Sequence, residues 1–215
     1  MSAPVQGGAE RRGARRVEIW AALIALCVGA PMVFLYARAM ADGELRRRQA
    51  PLRAMLGDVA FERLARGEKT EEHYYGNSLR APDFSLRDKD GKPWKLSDRR
   101  GKVVVMNFWT ITCAPCVEEL PSLLELADIA SERDDIEVIA VTTDKEWSEV
   151  AALFPPKFHL NVLFDPDRKI VRDKFGTKLF PETWIIDGRG VVRMRIDGRR
   201  NWSEPLTIDA IERFL

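Results

Sequence analysis

Two cysteines separated by two residues, Cys113 and Cys116, stand between an apolar run, K-V-V-V-M-N-F-W (102–109), and a segment of helical spacing. The run is short and rich in β-branched and aromatic residues, as expected of a strand buried on both faces of a sheet. From Ala114 to Ser131, Val117, Leu120, Leu123, Leu124 and Ala127 recur at the spacing of one helix face. The chain therefore turns from a buried strand into a helix at the dithiol. The attacking species in thiol chemistry is the thiolate, and the unpaired N–H groups and positive end of a helix N-terminus favour it. Two intervening residues let the second thiol, one turn on, reach the first sulfur and resolve a mixed disulfide. Pro115 suits the first turn, where its missing N–H costs nothing. Cys113 is the candidate nucleophile and Cys116 the resolving thiol.

The alternative reading of such a pair, as structural cysteines or half a metal site, lacks support elsewhere in the chain. The third cysteine, Cys27, lies alone in an apolar run, and there are only two histidines, His73 and His159. No second C-x-x-C and no Cys/His pair at zinc spacing is present. No metal and no cofactor is expected. A net charge of +1 argues against a nucleic-acid partner.

Before the dithiol, the sequence F-S-L-R-D-K-D-G-K-P-W-K-L alternates around Asp90-Gly91 and reads as a hairpin. After it come a second buried strand at 136–141, a helix at 145–154, a strand at 161–164 and a short helix near 169–175. A hairpin around Gly188–Gly190 and a terminal helix at 207–215 complete the pattern. The chain has no internal repeat. The order implies an α/β fold, a central mixed sheet with helices on both faces, over residues 81–215.

The N-terminal third differs. Residues 1–16 are rich in Gly, Ala and Arg without apolar periodicity and read as a disordered cytoplasmic tail. Residues 19–37 carry no charge, and as a helix they would reach about 28 Å, close to the thickness of a bilayer. Arg15, Arg16, Glu18 and Arg38 flank the run, with Trp20 and Tyr36 placed like interfacial anchors. A single transmembrane helix at 17–38 is expected. It is long for a cleaved signal segment, and Leu26 before Cys27 argues against a lipid-modified cysteine. Arginines are balanced on the two sides, so charge does not set the topology. Residues 39–80 read as a linker; Leu52, Met55, Leu56, Val59 and Leu64 fall near helical spacing and suggest a short amphipathic helix in this spacer.

N-F-W-T-I-T-C-A-P-C-V-E-E-L-P resembles the active-site segment of thioredoxin-fold proteins, particularly the TlpA/ResA-like membrane-anchored disulfide reductases. A-P-D-F-S-L-R-D-K-D-G-K-P-W-K-L resembles the hairpin they share with peroxiredoxins, and L-F-P-E-T-W-I-I-D-G-R-G their later loop and hairpin. The resemblance covers residues 81–215. It implies that Pro181 is a cis-proline facing the cysteines. It also implies that Glu119, three places after Cys116, influences thiol titration; as a sequence feature alone, Glu119 reads equally as a charge suited to the early turns of a helix. Pro121 matches the helix-kinking proline, and Asn107 stands where thioredoxin has a buried aspartate. Thr112 replaces the usual tryptophan before the first cysteine, removing an apolar surface while leaving the redox chemistry in place.

The function implied is reduction of disulfides in periplasmic client proteins, with cytochrome c maturation a leading use in relatives. The protein would be anchored in the bacterial inner membrane and supplied with electrons by a transmembrane donor of DsbD/CcdA type. Two other readings remain open. Thr110 with Cys113 mimics part of a peroxiredoxin site, although Met106 replaces the proline expected there. A copper chaperone of similar fold would need a histidine beside the two thiolates, and His159 is the only candidate in the domain.

Overall fold

The computed structural model describes residues 20, 25–66 and 79–215. The chain divides into two units, Met1–Gln49 and Ala50–Leu215.

In the second unit, Asp88 closes the first hairpin: its Oδ1 accepts from the N–H groups of Asp90 and Lys92, and Gly91 takes the positive φ of 77° that the turn needs. This joins β1 (Ser85–Asp88) to β2 (Pro93–Lys95). The chain then enters β3 (Val103–Trp109), turns through the dithiol into α3 (Ala114–Ser131) and returns along β4 (Ile136–Thr142). A short α4 (Trp147–Val150) precedes β5 (Asn161–Phe164), and β6 (Glu182–Ile186), β7 (Val192–Asp197) and α5 (Pro205–Glu212) end the chain. Two helices lie upstream, α1 (Ala30–Leu56) and α2 (Asp58–Ala65). One seven-stranded sheet runs in the order β2-β1-β5-β4-β3-β6-β7. The inner strands β3, β4 and β5 are parallel, and the outer pairings are antiparallel. The sheet is therefore mixed, as its pattern implies.

Every residue of β3 is buried, and its side chains alternate between two cores. Val103, Val105 and Trp109 pack with Leu120, Leu123 and Ala127 of α3 and with Ala210 and Ile211 of α5. Val104, Met106 and Phe108 pack on the opposite side with Phe84, Trp94, Trp184 and Phe175. Helical cover on that second side includes the wide turn Lys169–Lys174, which supplies Ile170 and Val171, and the short turn Leu96–Arg99, which supplies Leu96. The helix expected at 145–154 is shorter than its spacing suggests. Phe154 precedes Pro155-Pro156, and proline forces the residue before it out of helical geometry; Phe154 is extended, with φ −109° and ψ 140°.

Within the expected linker, the end of α1 is more than a spacer. The second unit begins at Ala50, and Met55 and Leu56 are 1% and 3% exposed in the core shared with α3. Gly57, at φ 81°, separates α1 from α2. Arg200 binds the Met55 carbonyl through Nε at 3.3 Å, providing a partner for a carbonyl of the last helical turn. Met55→Ala should lower unfolding stability by about 2–5 kcal/mol, the cost of a buried cavity, measured by denaturant titration; an unchanged midpoint would return these residues to a passive linker.

Of the expected membrane span at 17–38, residues 17–19 and 21–24 lie outside the described residues, as does the tail at 1–16. Residues 25–29 form a wide helical turn that leads into α1. Among the described residues, no helix is long and apolar enough to cross a membrane. Helix α1 continues past residue 38 through Asp42, Glu44, Arg46, Arg47 and Arg48, and these charges break the apolar stretch.

Candidate active site

The turn from β3 into α3 puts Cys113 at the helix N-cap, with extended backbone at φ −94° and ψ 100°. Its Sγ accepts the Cys116 backbone N–H at 3.3 Å, a donor it shares with the Cys113 carbonyl, which accepts the same N–H at 3.0 Å. Pro115 falls in the first turn. Cys113 and Cys116 are joined as a disulfide, with Cα atoms 5.3 Å apart. The two sulfurs are not equivalent: Cys113 is half-buried, whereas Cys116 is 2% exposed. Thr112, beside the nucleophile, is exposed. Cys27 is a free, exposed cysteine in the first unit.

The Phe180–Pro181 peptide bond is cis. Phe108 pairs with Glu182 across β3 and β6, so the register sets Pro181 level with Trp109, where the chain leaves for Cys113. The proline and the dithiol thus occupy the same end of the sheet. The arch before Pro181 is fastened at both ends. The buried Thr177 hydroxyl donates to the buried Glu182 carboxylate, and the Pro181 carbonyl accepts from Gly198 N–H at 2.9 Å. Leu179, on the arch, is 81% exposed.

Glu119 lies one turn after Cys116 and is 2% exposed. Its Oε1 accepts from Asn107 Nδ2 at 2.7 Å; its Oε2 accepts from Arg200 N–H at 3.1 Å and Trp202 Nε1 at 3.2 Å. Asn107 Nδ2 also donates to Thr183 Oγ1 at 2.9 Å. Burial pushes the Glu119 carboxyl above its ordinary value, and the donors from Arg200, Asn107 and Trp202 hold it back. This is a core carboxyl rather than a surface charge placed to suit a helix end. Pro121 lies within α3, where it removes a helical hydrogen bond close to this network.

Sequence reasoning missed several residues of the site. Trp202 and Arg200 brace Glu119 from about eighty positions away, and no local pattern connects them. Glu182 is 1% exposed, and its carboxyl is raised by burial against the donors Thr177, Arg195 and Trp184. Its signal was a glutamate inside an apolar strand directly after the proline.

The two other readings find little in the geometry. His159 pairs with Asp128 at 2.8 Å, near the C-terminal end of α3 and so at the opposite end of that helix from Cys113. His73 lies outside the described residues. Among the described residues, no group of three or more His, Cys, Asp or Glu could hold a metal ion. The Thr110 hydroxyl, which a peroxide site would need, donates to Asp144 at 2.8 Å.

The AhpC/TSA family matches residues 78–195. The thiol-disulfide oxidoreductase ResA of Geobacillus thermodenitrificans (strain NG80-2) is 36% identical over 119 residues, 55% of this chain and 67% of that protein. ResA of Bacillus thuringiensis subsp. konkukian (strain 97-27) is 31% identical over 163 residues, 75% of this chain and 92% of that one. The matched stretch spans about two thirds of the first relative's length and nearly all of the second's. Among solved structures, a Chlorobium tepidum protein described as a DsbE-type thiol:disulfide interchange protein superposes with a TM-score of 0.53 at 28% identity. That match covers 63% of this chain and 97% of the other.

Proposed function

We propose, for a chain that belongs to the AhpC/TSA family, that it works as a reductase of client disulfides in the bacterial periplasm, held at the inner membrane by its N-terminal segment. The chain is a thiol–disulfide oxidoreductase of thioredoxin-like fold. The observation that carries its chemistry is the redox pair at the start of α3, with one sulfur open and the other enclosed.

In the reduced pair, the Cys113 thiolate attacks one sulfur of a client disulfide. The client S–S bond breaks, a mixed disulfide forms, and the first client thiolate leaves. The Cys116 thiolate then attacks Cys113 Sγ, releases the second client thiolate and closes the internal disulfide. Two electrons pass to the client, and a donor of DsbD/CcdA type returns the pair to the dithiol. The helix N-terminus and the Cys116 N–H favour the thiolate at Cys113. The cis-Pro181 arch, with exposed Leu179, presents a surface for the client beside that sulfur. Glu119 acts against that preference, because a nearby negative charge raises a thiol pKa, and so tempers the reactivity of the pair. Cytochrome c maturation, which needs reduced haem-binding cysteines, is the client process we favour.

Membrane attachment is supported by the first unit's side chains. Met32, Val33, Phe34, Leu35 and Tyr36 are each at least 63% exposed, an uninterrupted apolar surface that water does not favour. Trapping tests the whole reading. With Cys116→Ser the mixed disulfide cannot resolve, so adducts with periplasmic proteins that carry cysteine pairs should accumulate in cells. Adducts confined to cytosolic proteins would overturn the location, and their complete absence would overturn the exchange.

A further inference from the structure

The loop that delivers Cys113 is held by a residue outside the C-x-x-C segment. Asp144 lies two positions beyond β4 and is 9% exposed. Its Oδ1 accepts the Thr110 hydroxyl at 2.8 Å. Its Oδ2 accepts the Ile111 N–H at 2.9 Å and the Thr142 hydroxyl at 2.5 Å. Asp144 N–H in turn donates to Thr142 Oγ1 at 3.1 Å, and Thr143 N–H to the Trp109 carbonyl at 3.2 Å. Trp109 and Thr142 are register partners at the ends of β3 and β4, so the carboxylate clasps the point where the two parallel strands part.

From this clasp a continuous series of hydrogen bonds leads to the sulfur. The Thr110 carbonyl accepts the Cys113 N–H at 3.1 Å, and Cys113 Sγ accepts the Cys116 N–H. We infer that Asp144 is a positioning residue for disulfide exchange: it fixes residues 110–111 so that Cys113 sits at the N-cap with its sulfur against the Cys116 N–H. This rests on the assignment of Cys113 as the attacking thiol. A carboxylate suits the task because all its partners here, two hydroxyls and an amide N–H, can donate. Asparagine has the same shape but would turn an NH2 toward one of them.

The test uses the full chain, reduced, in detergent micelles. The pH dependence of Cys113 alkylation is followed by mass spectrometry, with the thermal unfolding midpoint measured in parallel. Asp144→Asn should raise the Cys113 midpoint by about one pH unit, as the thiolate loses its oriented donor. Below both midpoints the thiolate is then about tenfold scarcer and about threefold more nucleophilic, so exchange with a small disulfide should slow about threefold. Thr110→Val should shift the midpoint in the same direction, Thr110→Ser should leave it at the parental value, and the Asp144→Asn/Thr110→Val pair should shift less than the sum. An unmoved midpoint with only a lower unfolding temperature would overturn the proposal and leave a structural staple. A lowered midpoint would overturn it too, making Asp144 a charge acting on the sulfur directly. If Asp144→Asn does not fold, the two Thr110 variants decide alone. Parental protein labelled first at Cys116 would instead remove the assignment of Cys113, whatever Asp144 does.

Discussion

Cys113→Ser should bring protein-disulfide reduction down to the uncatalysed background, while Cys27→Ser should leave it intact. A serine hydroxyl at the N-cap keeps the hydrogen bond to the Cys116 N–H but is barely ionised at neutral pH, so no nucleophile forms there. Cys116 cannot take over, because at 2% exposure its sulfur lies beyond the reach of a folded client. Cys27 lies in the other unit, and its loss removes nothing from the pair. Insulin reduction by the full chain in detergent, with dithiothreitol as electron source, reads both effects. Substantial turnover by the Cys113 variant would displace the nucleophile to another residue.

Glu119 should dominate the response of stability to substitution and to pH. In Glu119→Leu, the Arg200 N–H, the Trp202 indole N–H and one Asn107 donor lose their acceptor inside the core. At about 1–3 kcal/mol for each unsatisfied donor, roughly 3 kcal/mol or more is lost. Glu119→Gln keeps one acceptor oxygen and should cost less. The raised carboxyl also gives pH dependence an unusual sign. The native carboxyl keeps its proton to higher pH than the unfolded one, so between the ordinary value of 4.5 and the raised value the native state binds more protons. The resulting stability is fully present below the ordinary value and is lost as pH rises through the raised one. Glu182, also raised, acts in the same direction, whereas Asp83, Asp135 and Asp173 are lowered and act in the opposite one. Subtracting the Glu119→Gln denaturation profile isolates the Glu119 contribution: the parental advantage should shrink as pH rises across this window. A constant difference would mean that the carboxyl titrates normally. In the same variant the apparent pKa of at least one active-site thiol should fall, and superimposable titration curves would leave Glu119 as a core residue alone.

Local signals made much of this molecule legible. The apolar run at 102–109 and the face of Val117, Leu120, Leu123 and Ala127 gave β3 and α3 nearly to the residue, because the strand is an unbroken apolar run buried on both faces and the helix keeps a clear period along its buried face. Asp90-Gly91 and Gly188–Gly190 marked their turns through residues suited to special backbone angles. Met55 and Leu56 were harder. Their spacing announced a helix, but whether a helix face is covered depends on what packs against it, and the charged surroundings suggested a spacer. The clasp at Asp144 and the cradle of Glu119 were invisible for a related reason. Each joins segments tens of residues apart, and neither partner carries a local pattern naming the other. The cis bond at Pro181 came only from resemblance, since an X-Pro bond is cis in roughly 5% of cases.

The unequal exposure of the two sulfurs has a kinetic meaning. With Cys116 enclosed, a thiolate arriving to reopen the disulfide must strike Cys113, the same atom that meets the client. Donor and client therefore share a single doorway and use it in turn, a ping-pong scheme with no ternary complex. Each is a competitor of the other at that atom. An excess of client would leave the pair oxidised and an excess of donor would leave it reduced, so throughput is set by the slower of the two arrivals.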